Sequence, residues 1–155
     1  MVGPVVKVDP ATLPARANLH WLGRREYVDL PSYVKGFSAC LMPFALNEAT
    51  EYINPTKALE YMAAGRPIVS TGVPDVISNF GAVVKIAHNR DRFIDFCRQA
   101  VTRPDQAAVA RGLAMAQENT WDRIVAELEG HVREAIRCRQ VHRHLQQGAL
   151  SFANP

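Results

Sequence analysis

Short apolar runs alternate with segments of helical spacing over roughly the first ninety residues. The runs Val5–Val8, Asn18–Leu22, Ala39–Phe44, Pro67–Ser70 and Ala82–Ile86 predict strands. Between them, Pro31–Phe37, Pro55–Ala64 and Pro74–Asn79 predict helices, and Asp9–Ala17 and Ala45–Ile53 predict loops. Ala39–Phe44 is almost wholly apolar, which suits a strand covered on both faces. Further on, the pattern is helical. Phe93, Phe96, Cys97, Ala100 and Val101 share one helix face, and Gln106–Glu118 is an Ala-rich helix. Trp121, Ile124, Val125, Leu128, Val132, Ala135 and Ile136 form another apolar stripe. From Arg137 onward, Arg139, His142, Arg143 and His144 are polar on every side, and Ser151–Pro155 reads as a loose end.

Strict alternation of strand and helix predicts an α/β fold: a mostly parallel, Rossmann-like sheet of about five strands flanked by helices. It occupies residues 1–120, and a C-terminal helix and tail occupy residues 121–155. In such sheets ligands bind beyond the carboxyl ends of the strands. That directs attention to the loops after Gly23, Phe44 and Thr71.

Composition narrows this picture without changing it. The 155 residues are 48% hydrophobic and 21% charged, a globular balance that excludes a disordered chain. Apolar stretches such as Ala39–Met42 are far too short to span a membrane, and Met1–Pro4 lacks the basic opening of a secretory leader. The net charge of +3 is scattered, which gives no case for nucleic acid. Cys40, Cys97 and Cys138 are too far apart for a disulfide framework or a zinc spacing, so a reducing cytoplasm is expected. Cys40 and Cys97 read as buried thiols, and Trp21 and Trp121 as core or core-edge residues. Cys138, His142 and His144 have no fourth ligand at a sensible spacing, so they read as a solvated basic helix end and no metal site is expected. That basic end suits peripheral contact with an anionic membrane, although its apolar stripe has already stopped.

The informative segment runs from Asn47 to Pro67. Asn54 can cap a helix, Pro55 suits its first position, and Gly65 and Pro67 stop it. The core face is Ala58, Leu59, Met62 and Ala63. Lys57 stands in the first turn, where it opposes the positive end of the helix dipole; a bound phosphate relieves that conflict. Glu60 follows one turn later on the same side, well placed to accept both hydroxyls of a ribose. Read without a ligand, Lys57 and Glu60 are an exposed ion pair worth a few tenths of a kcal/mol.

The pattern Pro55-x-Lys57-x-x-Glu60-Tyr61-Met62-Ala63-x-Gly65-x-Pro67-Ile68-Val69-Ser70-Thr71 resembles the nucleotide-sugar site of the family-four retaining glycosyltransferases, enzymes of the two-domain GT-B fold. The resemblance extends to Asn18–Gly23, to Leu30-Pro31-x-Tyr33, to Met42-Pro43-Phe44, to Val73–Val76 and to Thr120-Trp121-Asp122, covering about residues 2–130. It implies that Glu60 binds the ribose of a nucleoside diphosphate sugar, a UDP-sugar or GDP-sugar. Asn54, Pro55, Thr56 and Lys57 then hold the diphosphate and sugar, Gly23, Arg24, Arg25 and Tyr27 lie near the base, and Phe44 borders the site. The family's second acid, eight positions before Glu60, is here Tyr52; Glu48 or Glu51 is the candidate replacement.

The family's opening βα unit has no counterpart, since Met1–Val8 aligns with its second strand. The expected sheet therefore either pairs across the gap or stays open there. The resemblance also implies an absent N-terminal domain that holds a glycan or lipid-linked acceptor, work at the inner face of the membrane and no cofactor. By itself the chain is expected to bind nucleotide weakly and to transfer nothing. Two other readings compete: a non-catalytic nucleotide-sugar module or remnant acting through a partner chain, and an unrelated receiver-like interaction domain. The latter wants an acidic cluster that Asp9 alone does not provide.

Overall fold

The computed structural model describes the backbone of residues 1–151 and the side chains of residues 1–140. The expectations for the His142, Arg143 and His144 side chains and for residues 152–155 lie outside that description. The chain divides into two compact units, Met1–Leu113 and Ala114–Pro155.

The first unit is built on a parallel sheet of order β1-β2-β3, with β1 at Cys40–Met42, β2 at Ile68–Thr71 and β3 at Lys85–Ala87. The central strand carries consecutive β-branched residues, Ile68 and Val69. Ile68, Val69 and Ser70 point alternately to the two faces and all are buried, so both faces of β2 are covered. Around the sheet lie α1 (Leu30–Lys35), α2 (Glu48–Glu51), α3 (Lys57–Ala63), α4 (Pro74–Phe80), α5 (Arg90–Thr102) and α6 (Gln106–Glu118). The core joins Ala58 and Met62 of α3, Val76 and Phe80 of α4, Ala100 of α5 and Ala108 of α6 to the strands. Gly112 lets α6 come close to α3: a Cβ placed on it would lie 3.1 Å from Met62 Cγ.

Two of the expected strands do not form. Met1–Gly3 runs beside His20–Gly23, joined by Met1 N to the His20 carbonyl (2.7 Å), Leu22 N to Met1 O (2.9 Å) and Gly3 N to Gly23 O (2.9 Å). Val5–Val8 lies beyond this contact and stays exposed, and neither segment reaches the ladder of β1. A strand needs a continuous ladder for its N–H and C=O groups, and the three bonds here join these two segments only to each other. The sheet is thus three-stranded and open on the β1 side. This also corrects the expectation that Ala39–Phe44 is covered on both faces: Leu41 is 45% exposed. The fifth expected strand starts three residues later than Ala82–Ile86 suggests, because the turn after α4 runs on through Val84, whose N–H donates to Phe80 O. The loop Ala45–Ile53 contains the single turn α2. Trp21 is 41% exposed, and its Nε1 donates to Pro14 O at 3.3 Å.

The second unit holds α7, Trp121–Ser151. Its outer faces carry ion pairs one turn apart, Arg123–Glu127 (3.1 Å), Arg133–Glu129 (3.0 Å) and Arg137–Glu134 (3.0 Å). Its apolar stripe is exposed: Trp121 is 80% accessible, and Val125, Leu128, Val132 and Ile136 are each at least half accessible. Trp121 is therefore not a core residue. Among the described residues, no helix is long and apolar enough to cross a membrane.

Candidate functional site

At the carboxyl ends of the strands, β1 and β2 are stitched to the loop that leads toward α3. Thr71 Oγ1 donates to Phe44 O at 2.8 Å, and buried Ser70 Oγ lies 3.2 Å from Met42 O and 2.9 Å from Thr71 O. After α2, the chain turns at Asn54, whose carbonyl accepts from Thr56 N at 3.0 Å, and buried Pro55 anchors the turn. The helix then starts at Lys57, two residues later than Pro55 would suggest, with Thr56 at the cap and no side-chain cap bond. It ends in a Schellman motif. Gly65 N donates to Met62 O at 2.9 Å, Arg66 N donates to Tyr61 O at 3.1 Å, and Gly65 adopts φ +66°.

This short, firmly ended helix places Lys57, Glu60 and Tyr61 on one wall of a cavity of about 320 Å³. Facing them are Leu30, Tyr33 and Phe37 from α1 and its end, the free edge of β1, and Met1 with Val2. Glu60 also lines a second cavity of about 260 Å³, with Tyr27, Leu30 and Pro31. Glu60 is exposed and is shared by the linings of both hollows. Arg25 is drawn toward the same place: its Nε donates to Tyr33 Oη at 2.9 Å, and its guanidinium lies 5.9 Å from the Tyr33 ring centre. Burial pushes the Tyr61 phenol above its usual range, and the nearby Cys40 and Glu60 charges add to that. The concavity thus combines an apolar lining with the Glu60 carboxylate and Lys57, and Arg25 stands behind its Tyr33 wall, the mixture of a small-molecule site.

Of the residues singled out from sequence, Lys57, Glu60 and Tyr27 meet around these cavities, and Arg25 approaches through Tyr33. Arg24 accepts from Arg25 Nη1 through its carbonyl, and Gly23, at φ +67°, lines a separate open depression with Leu19 and Trp21. Glu48 and Glu51 are exposed on α2, which is braced by Thr50 Oγ1 accepting from Asn47 N at 3.1 Å; neither glutamate lines the cavity of Lys57 and Glu60. Asn54, Pro55, Thr56 and Phe44 shape the approach to α3 without lining it. Sequence reasoning assigned no role to Tyr33, because nothing local couples it to Arg25 eight residues earlier. Among the described residues, no three His, Cys, Asp or Glu side chains gather to hold a metal ion.

A family model described as "Glycosyl transferases group 1" matches residues 2–103. A protein of Bacillus subtilis (strain 168) named "Putative teichuronic acid biosynthesis glycosyltransferase TuaH" is similar, 30% identical over 57 residues. That stretch covers 37% of this chain and 14% of the relative, so the chain matches only a small part of that protein's length. No solved structure matches.

Proposed function

The chain belongs to the group 1 glycosyltransferases, and on that premise we propose that it supplies the donor-binding part of a glycosyl transfer. The donor is a nucleoside diphosphate sugar, a UDP-sugar or GDP-sugar. The observation that carries this reading is that Glu60 lines two cavities, with Lys57 one turn earlier lining the first of them. Glu60 accepts the two ribose hydroxyls in charge-assisted hydrogen bonds. The base lies toward Tyr27 and Arg25, on the segment that also carries Arg24 and Gly23. The diphosphate rests against Asn54, Pro55, Thr56 and Lys57.

Transfer with retention requires loss of nucleoside diphosphate, and charge develops on the leaving phosphate. Lys57, in the first turn of a firmly ended helix, supplies the positive charge that stabilises the leaving phosphate. One of Glu48 and Glu51 contacts the donor sugar, and Phe44 borders it. The acceptor, a glycan or lipid-linked glycan, is held by a further domain, and the work is done at the cytoplasmic face of the membrane. The B. subtilis relative's name, which mentions teichuronic acid, supports a polysaccharide setting. The open side of β1 favours a second reading, in which this chain alone is a nucleotide-sugar binding module that needs a partner to act.

The test is a nuclear magnetic resonance titration of the labelled chain with UDP, GDP and ADP. Saturable shifts are expected at Tyr27, Tyr33, Lys57 and Glu60 for one nucleotide above the others. Glu60→Gln is expected to weaken that nucleotide about tenfold or more, the worth of a charged hydrogen bond. Absence of saturation with all three, or an unchanged affinity in Glu60→Gln, would sink the reading.

A further inference from the structure

A third cavity lies at the other end of the sheet, where the strands begin. It has a volume of about 90 Å³ and is bounded by Arg66 and Ile68 at the start of β2, by Lys85 at the start of β3, and by the last turn of α5. Met62, Phe96 and Ala100 form apolar wall, and Arg66, Lys85, Gln99, Arg103 and Asp105 supply the polar groups. The Arg66 Nε is buried and has no hydrogen-bond partner among the described residues. Among the described residues, none of Arg66, Lys85 and Arg103 makes an ion pair; the chain's salt bridges use Arg98, Arg123, Arg133 and Arg137 instead. The single acid is already engaged: Asp105 Oδ1 accepts from Ala108 N at 2.9 Å and caps α6.

Three cations around one capped carboxylate leave an excess of positive charge, and a buried guanidinium N–H without an acceptor is costly. Both are relieved by one event, the entry of an anion. We propose that this cavity binds a small phosphate-type oxyanion, free phosphate or a phosphomonoester. Arg66 donates from the buried side through its fork, and Lys85 and Arg103 close on the anion as point charge and second fork. The volume admits one such group and is well below the ~300 Å³ or more that nucleotide-sized ligands need. The site is therefore separate from the donor site proposed above and does not depend on it.

Inorganic phosphate, titrated into the labelled full chain at constant ionic strength held with chloride, is the probe. Saturable shifts are expected at Arg66, Lys85, Phe96 and Arg103. The double variant Lys85→Gln with Arg103→Gln, both exposed and so tolerated by the fold, is expected to weaken phosphate about tenfold. Glu60→Gln is expected to leave phosphate binding unchanged. Glycerol phosphate run in parallel separates the two sources: binding equal to phosphate extends the site to esters, and weaker binding restricts it to the free anion, and both support the site. Shifts that fail to saturate, that centre on Asn54–Glu60, or that persist in the double variant would overturn it.

Discussion

Cys40 shows how one residue reports the state of the fold around the candidate site. It is the first residue of β1 and 3% exposed. Burial pushes its thiol from 9.0 up to about 11, with the Arg66 guanidinium pulling weakly the other way. The unfolded chain therefore releases this proton at lower pH than the folded one. The stabilisation is complete below pH 9 and is lost as pH rises toward about 11. On the order of 2–3 kcal/mol should disappear over that window, and Cys40→Ala should flatten the slope of urea stability against pH there. An equal slope in Cys40→Ala would assign the loss to other groups, Tyr61 foremost. Thiol labelling at pH 8 gives a second check: exposed Cys138 should react first, Cys97 next and Cys40 only on unfolding. The buried state of Cys40 was legible in its apolar run, as was the Lys57–Glu60 spacing, because both are local patterns. The Arg25–Tyr33 tether and the orphaned Arg66 Nε were not, because each depends on a distant segment arriving.

Helix α3 is where a stretch of sequence fixes geometry most completely. Its stop was legible, since only glycine adopts φ +66° without strain, and Gly65 does so in the Schellman turn. Its start was less so: Pro55 is buried in the preceding turn rather than opening the helix, because its position is set by tertiary packing. Gly65→Ala meets no steric neighbour, so its cost is the left-handed backbone alone, about 1–2 kcal/mol. Chemical denaturation should show that loss, and nucleotide affinity should fall with it if Glu60 is carried out of place. Gly130 is the contrasting case. It lies within α7 with open space where a Cβ would stand and without a positive φ. Gly130→Ala should gain roughly 0.5–1 kcal/mol of helix stability, seen as higher helical signal on heating. A destabilised Gly130→Ala would mean that the face carrying it is covered.

At the scale of the molecule, alternation of strand and helix was enough to read an α/β fold, and Gln106–Glu118 was legible residue for residue. The number of strands was not legible, because Val5–Val8 has strand propensity and no partner, and pairing is a property of the whole sheet. The same distinction governs α7. Its stripe of Trp121, Val125, Leu128, Val132 and Ile136 has the spacing of a buried face, yet it stays exposed. A stripe of that length is a contiguous apolar patch of the kind that drives association. The chain should therefore self-associate with rising concentration, and Leu128→Lys combined with Val132→Glu should return it to monomer in sedimentation velocity. Because both side chains are already more than half exposed, the double variant forfeits little burial and should change unfolding stability by no more than about 0.5 kcal/mol. A large loss of stability in the monomeric variant would show that the stripe is covered within the chain, and association unchanged by the two charges would move the contact elsewhere. One substitution pair thus separates a face that waits for another molecule from a face that belongs to this one.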